Sequence, residues 1–167
     1  MKSRMYMIAG SLIAVLIIAL ALLVVFPSMS TDPSVKFKDA GALYSKSVDL
    51  ANEGKYEEAL KAADDALSLN VRQLMPIIQS NRAGILVMLG RDREAITAAD
   101  AALSSNENLT TVFSIAYFNK GNALKNLGRT DEAKAAYAKA HELDNSLVPP
   151  DLSSIPVLPI PNQSPLL

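Results

Sequence analysis

The stretch that decides the fold lies at residues 117–133 and reads YFNKGNALKNLGRTDEA. Its apolar residues recur at helical spacing up to Leu127, and Gly128 follows them directly. Glycine is a frequent cap at the C-terminal end of a helix. Asp131 and Glu132 come next, and acids favour a helix start because the N-terminus of a helix carries partial positive charge. We therefore predict two helices joined by a tight turn at Gly128.

The same turn motif occurs three times along the chain. The segments are GKYEEAL at 54–60, GRDREAI at 90–96 and GRTDEA at 128–133, and their glycines lie 36 and then 38 residues apart. A repeat of this period is typical of solenoid proteins, in which each helical unit buries its apolar face against its neighbours. The motif therefore predicts three stacked helical hairpins.

Small side chains recur at fixed distances from each turn glycine, and a small residue such as Ser47 stands seven residues before it. Residues seven apart lie on one stripe of a helix, where small side chains let two helices approach closely. We predict that packing of the repeats depends on Gly54, Ala59, Ala66, Ala83, Gly90, Ala95, Ala102, Gly121, Gly128, Ala133 and Ala140.

The pattern predicts an all-α protein with helices at about 38–53, 55–69, 74–89, 92–105, 110–127 and 130–143. No stretch alternates apolar and polar residues between turn signals, so we predict no strands.

Residues 117–128, together with Ala133, Tyr137 and Ala140, resemble a nearly complete unit of the tetratricopeptide repeat family. The other two copies are weaker, since Ala63 and Ala99 stand where Tyr137 does. The resemblance implies an α-solenoid of three helix-turn-helix repeats over 38–145, at about 40–73, 76–109 and 114–145.

The resemblance also implies a concave face, formed by the first helix of each repeat, that binds a protein or peptide partner. Chaperone-binding members of the family hold a C-terminal carboxylate with a clamp formed by lysine and asparagine in the first repeat and by basic residues in the third. Here Tyr44, Val48, Ile115 and Asn119 stand at clamp positions, so a chaperone C-terminus is not the expected ligand. An alternative is that the asparagines of this face are merely solvated. The implied partner-binding residues are Tyr44, Val48, Asn52, Asn81, Met88, Phe118, Asn119, Asn122, Lys125 and Asn126.

The N-terminal region predicts a membrane anchor. Residues 5–26 are apolar except for Gly10 and Ser11, and 22 helical residues are long enough to cross a bilayer. Lys2 and Arg4 in the basic segment 1–4 favour a cytoplasmic N-terminus with the repeats outside. The alternative is a cleaved signal peptide and a secreted protein.

The predicted anchor is followed by a linker at 27–37. Farther along the chain, Asn108-Leu109-Thr110 is a glycosylation sequon, which would matter only for an extracytoplasmic domain.

The C-terminal tail at 146–167 contains six of the nine prolines and one charged side chain, Asp151. It is too apolar for a comfortable solvated tail. We expect it to cover the last helix or the concave groove, with a flexible tail or a proline-rich ligand for another protein as alternatives.

The composition argues against catalysis and nucleic-acid binding. The chain has no cysteine and a single histidine, His141, and its net charge of −1 lacks the basic excess that nucleic acids require. We read Asp64, Asp65 and Asp100 as solvated charges and expect no metal or cofactor. The sequence thus predicts a non-catalytic membrane adaptor, scaffold or assembly factor. The alternative is a structural subunit that self-associates through repeat stacking.

Overall fold

The computed structural model describes residues 32–148, and these form an all-helical arrangement without strands. The six helices are α1 (Pro33–Asn52), α2 (Tyr56–Ser68), α3 (Met75–Met88), α4 (Asp92–Leu103), α5 (Thr110–Asn126) and α6 (Thr130–Leu143). The chain divides into units at Met1–Val35 and Lys36–Leu167, and the repeats lie in the second.

The first helix begins at Pro33, five residues earlier than the sequence predicted, so the end of the expected linker at 27–37 is helical. Ser34 donates its backbone N–H to Oδ1 of Asp32 at 2.9 Å, as at a capped helix N-terminus. Proline is also well tolerated in the first turn of a helix, where its missing N–H costs little. The segment Asp32-Pro33-Ser34 is therefore a helix start and not part of a spacer.

The predicted membrane span at 5–26 and the tail from residue 149 lie outside the described residues. Within residues 32–148, no helix combines the length and apolar character needed to cross a membrane.

The three turn glycines end the first helix of each pair in a left-handed conformation, with φ of +76°, +70° and +73° at Gly54, Gly90 and Gly128. The residue after each glycine donates its N–H to a carbonyl four residues before that glycine, for example Arg129 to Leu124 at 2.9 Å. This pattern satisfies carbonyls that the ending helix leaves open. The identical turns explain why the three hairpins repeat.

Helix pairs α1/α2, α3/α4 and α5/α6 stack through a core of alanines and leucines. Of the residues predicted to pack the repeats, the seven alanines are at most 1% exposed, and Gly121 is buried. Ion pairs at equivalent positions join successive repeats: Arg82 contacts Asp64 at 2.7 Å, and Lys120 contacts Asp100 at 2.6 Å. Asp64 and Asp100, which we read as solvated charges, are therefore partners in contacts between repeats.

The end of the stack that α1 forms has polar residues at positions that are apolar in internal repeats. Counted back from the turn glycine, Asp49 of α1 takes the place of the buried Ile85 in α3 and Ala123 in α5. Likewise Glu53 takes the place of Leu89 and Leu127, and Lys46 that of Arg82 and Lys120, the two bases of the ion pairs between repeats. Lys46, Asp49 and Glu53 are all exposed. A terminal repeat of a solenoid needs such a polar outer surface to remain soluble.

The opposite end of the stack, which α6 forms, is polar as well. Six residues after the turn glycine, the first two pairs have Leu60 and Ile96, which pack into the core, whereas α6 has the exposed Lys134. Thirteen residues after the glycine, leucine is replaced by the exposed His141. Within residues 32–148, the last helix thus lacks the apolar residues that internal repeats have at these two positions.

Candidate partner-binding surface

The candidate surface is formed by the first helices of the pairs, α1, α3 and α5. Helices α3 and α5 contact each other directly, so they belong to one layer, and α2, α4 and α6 are the second helices. We call the exposed and half-buried side chains of α1, α3 and α5 the first-helix face. All ten predicted partner-binding residues lie on these three helices.

Two of the predicted asparagines join one repeat to the preceding repeat. Asn81 donates Nδ2 to Oγ of Ser47 at 3.0 Å, and the buried Ser47 hydroxyl donates to the carbonyl of Ala59 at 2.9 Å. Asn119 donates Nδ2 to the carbonyl of Ser80 at 3.1 Å. Each of these half-buried amides therefore uses an N–H group to join neighbouring repeats.

Two further asparagines are also engaged inside the protein. Asn122 accepts a hydrogen bond from the hydroxyl of Tyr137 at 2.7 Å. Asn126 donates Nδ2 to Oδ1 of Asp92 in the preceding pair at 2.9 Å. The remaining predicted asparagine, Asn52, is exposed at the end of α1. The asparagines of the third repeat thus serve mainly to hold the stack together.

Tyr137 organises the last repeat. Its ring is 2% exposed, packs edge-on against Phe118 with 5.5 Å between ring centroids, and lies against Gly121. Burial raises the pKa of Tyr137 to about 12, so the phenol stays protonated and donates to Asn122. Phe118, predicted as a partner contact, is half-buried and partly committed to this packing.

The first helix of the first repeat contributes Tyr44 and Val48, both half-buried. Tyr44 packs against the cluster of Ala63, Ala66 and Ile78, and burial raises its pKa. These side chains keep only part of their surface for a partner.

The most accessible large apolar side chains on the first-helix face lie on all three helices, and Phe37 of α1 is 48% exposed. Met88 is 60% exposed and Ile115 is 42% exposed. Ile115 was not among the predicted contacts. Its position, which corresponds to a clamp residue in chaperone-binding members of the family, could have indicated it. Lys125 is half-buried and forms no ion pair with any residue between 32 and 148. Of the predicted contacts on this face, Lys125 is the one with a charge, and Met88 and Ile115 are exposed apolar side chains on the same face.

The described residues also bear on two other candidate sites, a metal site and the single histidine. No group of three or more His, Asp or Glu side chains that could hold a metal ion occurs within residues 32–148. His141 lies exposed near the end of α6, with Nδ1 at 3.2 Å from the carbonyl oxygen of Leu147.

Comparisons with known proteins agree with this architecture. Residues 114–147 match the family model described as tetratricopeptide repeat. A structure of the first TPR of Spaghetti (RPAP3) bound to the HSP90 peptide SRMEEVD is similar to the chain with a TM-score of 0.57 and 25% identity, covering 66% of this chain and 82% of that chain. The NMR structure of the first TPR domain of human RPAP3 is similar with a TM-score of 0.57 and 26% identity, covering 65% and 81%. Curated protein sequences give no match.

The stacked hairpins and these likenesses define a helical-repeat protein of the kind that binds other proteins. Within that class, residues 114–147 match a tetratricopeptide repeat, and the stacked hairpins are similar to solved TPR domains.

Proposed function

We propose that this protein is a single-pass, membrane-tethered adaptor, scaffold or assembly factor without catalytic activity. In this proposal residues 5–26 cross the membrane, the N-terminus is cytoplasmic and the repeats are outside. The tether raises the local concentration of the repeats near other membrane components, so that weak contacts suffice for capture. A related domain solved with a bound peptide supports peptide binding as the mode.

The single observation that carries the binding proposal is the exposure of large apolar side chains on the first-helix face. Met88 and Ile115 are far more exposed than the residues of the core, and no described contact explains their presence. Because Lys125 is the one predicted contact with a charge, we propose an apolar segment as ligand rather than an acidic C-terminal peptide. An amphipathic helix or an extended apolar strand would bury this surface.

Capture from intact membranes by crosslinking tests the proposal. Met88→Glu and Ile115→Glu should each reduce the amount of captured partner because a buried carboxylate opposes docking. Ala135→Glu is the matched control, since Ala135 is an exposed residue on the second helix α6. Circular dichroism should be the same for all three variants. Capture that survives both face variants would show that the partner binds elsewhere.

The alternative function, a structural subunit that self-associates by stacking, is disfavoured by the polar end faces. A second copy joined end to end would place Asp49 and Glu53 of one chain near Lys134 and His141 of the other. An exposed ion pair there would contribute only about 0–1 kcal/mol, and the apolar contacts that join internal repeats would be missing. We therefore propose that residues 32–148 are monomeric. Sedimentation over a range of concentrations tests this, and a mass that rises with concentration would favour the subunit.

The tether and its orientation have their own test. Protease added outside intact cells should digest the repeats of the full chain, and deleting residues 1–31 should release the protein from the membrane fraction. Protection from the protease would place the repeats on the cytoplasmic side.

A further inference from the structure

The connection between α4 and α5, residues 104–109, leads into the sequence Asn108-Leu109-Thr110. Asn-x-Thr, with x other than proline, is the acceptor pattern for N-linked glycosylation, and a bulky glycan needs a surface position. Between residues 106 and 111 only Leu109 is half-buried, and the other five residues are exposed. A glycan on Asn108 would therefore displace no packed side chain.

Within residues 32–148, the side-chain amide of Asn108 forms a hydrogen bond through its oxygen and none through its nitrogen. Thr110 Oγ1 is 3.1 Å from Asn108 Oδ1 and donates to it, which occupies the oxygen of the amide. Nδ2, the atom that would be glycosylated, has no hydrogen bond to any residue within 32–148. In contrast, Asn81, Asn119 and Asn126 each use Nδ2 to hold the fold together.

The local backbone does not depend on the Asn108 side chain. Leu109 donates its N–H to the carbonyl of Glu107 at 3.1 Å, and its own carbonyl accepts from Phe113 at 2.9 Å to begin α5. Modification or substitution of Asn108 therefore leaves the helix start intact.

We propose that Asn108 is an N-glycosylation site whose donor is an oligosaccharide linked to a polyprenyl diphosphate. A bond forms between Nδ2 of Asn108 and the anomeric carbon of the sugar, while the bond from that carbon to the phosphate oxygen breaks. The polyprenyl diphosphate leaves with the electron pair, one amide proton passes to a base of the transferase, and nothing is oxidised or reduced. This inference rests on the proposed orientation, with the repeats outside.

The test uses the full chain synthesised in the presence of membrane vesicles that carry an oligosaccharyltransferase. We expect one more slowly migrating band, which returns to the unmodified position after treatment with peptide N-glycosidase. Asn108→Gln and Thr110→Ala should abolish it, whereas Thr110→Ser should retain it because serine also supplies the hydroxyl. A band that persists in Asn108→Gln would place the glycan on another asparagine, such as Asn162 in the sequon Asn162-Gln163-Ser164, and would overturn the assignment.

A control reports whether the repeats enter the vesicles at all. Arg72→Thr creates an Asn-x-Thr sequon at Asn70 in the equivalent connection between α2 and α3, where Asn70 and Arg72 are exposed. If the control sequon is glycosylated in an Asn108→Gln background while Asn108 itself is not modified in the natural sequence, the inference fails and the orientation stands. If neither asparagine is modified, the repeats are not delivered to the glycosylating side, and the orientation and the inference fail together.

Discussion

Replacing Gly121 with alanine should destabilise the protein, although alanine normally stabilises a helix. A Cβ added at Gly121 would lie 2.6 Å from Cε1 and 2.7 Å from Cδ1 of Tyr137. The ring cannot move away freely, because it is 2% exposed and its hydroxyl is bonded to Asn122 at 2.7 Å. The substitution therefore forces a shift in the packing between α5 and α6.

The expected size follows from three contributions to the free energy of unfolding. Overpacking a core costs about 1–3 kcal/mol, and loss of the hydrogen bond between Tyr137 and Asn122 adds about 1 kcal/mol. The better helix propensity of alanine returns about 1 kcal/mol. The net loss is about 1–3 kcal/mol, which corresponds to a fall in melting temperature of roughly 4–12 °C for a domain of this size.

Two other helical glycines provide matched controls. Gly41 has no atom within 4 Å of an added Cβ, so Gly41→Ala should stabilise the protein by up to about 1 kcal/mol. At Gly84 the added Cβ would lie 3.1 Å from Nδ2 of Asn119, so Gly84→Ala should fall between the other two. Thermal and urea denaturation of residues 32–148, followed by circular dichroism, measures all three. A Gly121→Ala variant as stable as Gly41→Ala would refute the reasoning.

A second substitution separates ring contact from other causes. Repeat 2 has Ala83 and Ala99 where repeat 3 has Gly121 and Tyr137, so the double variant Gly121→Ala, Tyr137→Ala rebuilds a combination that the chain already uses. Tyr137→Ala alone should cost about 3–5 kcal/mol. In that background Gly121→Ala should become stabilising, by up to about 1 kcal/mol. If it remains destabilising there, the cost does not come from the tyrosine ring.

Three further changes probe the stack. Ser47→Ala should lower the free energy of unfolding by about 1–3 kcal/mol in urea denaturation, because it removes a buried hydroxyl that donates to the Ala59 carbonyl and accepts from the Asn81 amide. The exposed Ser45→Ala is the control, and equal effects would contradict the role of Ser47. Because burial raises the pKa of Tyr137 from 10.0 to about 12, the unfolded chain releases this proton first, and stability present below pH 10 is lost as the pH rises towards 12. Tyr137→Phe should reduce this alkaline loss relative to the parent protein, as urea midpoints at about pH 9 and about pH 11 would show, and an unchanged loss would assign it to other groups. The double variant Lys134→Leu, His141→Leu gives α6 the apolar residues of an internal repeat and should cause concentration-dependent association in sedimentation experiments; a strictly monomeric variant would mean that the polar residues do not close the stack.

Most of the helical pattern could be predicted from the sequence because local signals and packing agree. The turn glycines, the acids after them and the spaced alanines mark the same boundaries, and α2 to α6 lie within two residues of the predicted ranges. The start of α1 was missed because a proline in a serine-rich segment indicates a spacer as readily as a first helical turn. Asp32 decides between the two through its bond to Ser34, and a side-chain bond of this kind is not visible in a pattern of apolar residues.

The candidate surface was harder to predict because position on a helix does not reveal what an amide bonds to. Asn119 and Asn122 occupy partner-binding positions implied by the family resemblance. In the structure, however, Asn119 donates to the carbonyl of Ser80, and Asn122 accepts from the hydroxyl of Tyr137. The sequence did contain one indication. Among the three repeats, only the one with tyrosine at the position of Tyr137 has glycine at the position of Gly121. Paired substitutions of this kind indicate contact, and they would have assigned this part of α5 to packing.

The polar end faces were also present in the sequence, and they bear on function most directly. Aligned on their turn glycines, the repeats place Asp49 where α3 has Ile85, and Lys134 where α4 has Ile96. Each replacement removes an apolar contact at one of the two ends of the stack that residues 32–148 form. Within residues 32–148 the ends of the stack therefore offer fewer apolar contacts than an internal repeat, which favours the proposal that a partner binds the sides of the helices. Since four of the five predicted asparagines form hydrogen bonds within the protein, the exposed Met88 and Ile115 are where binding should first be sought.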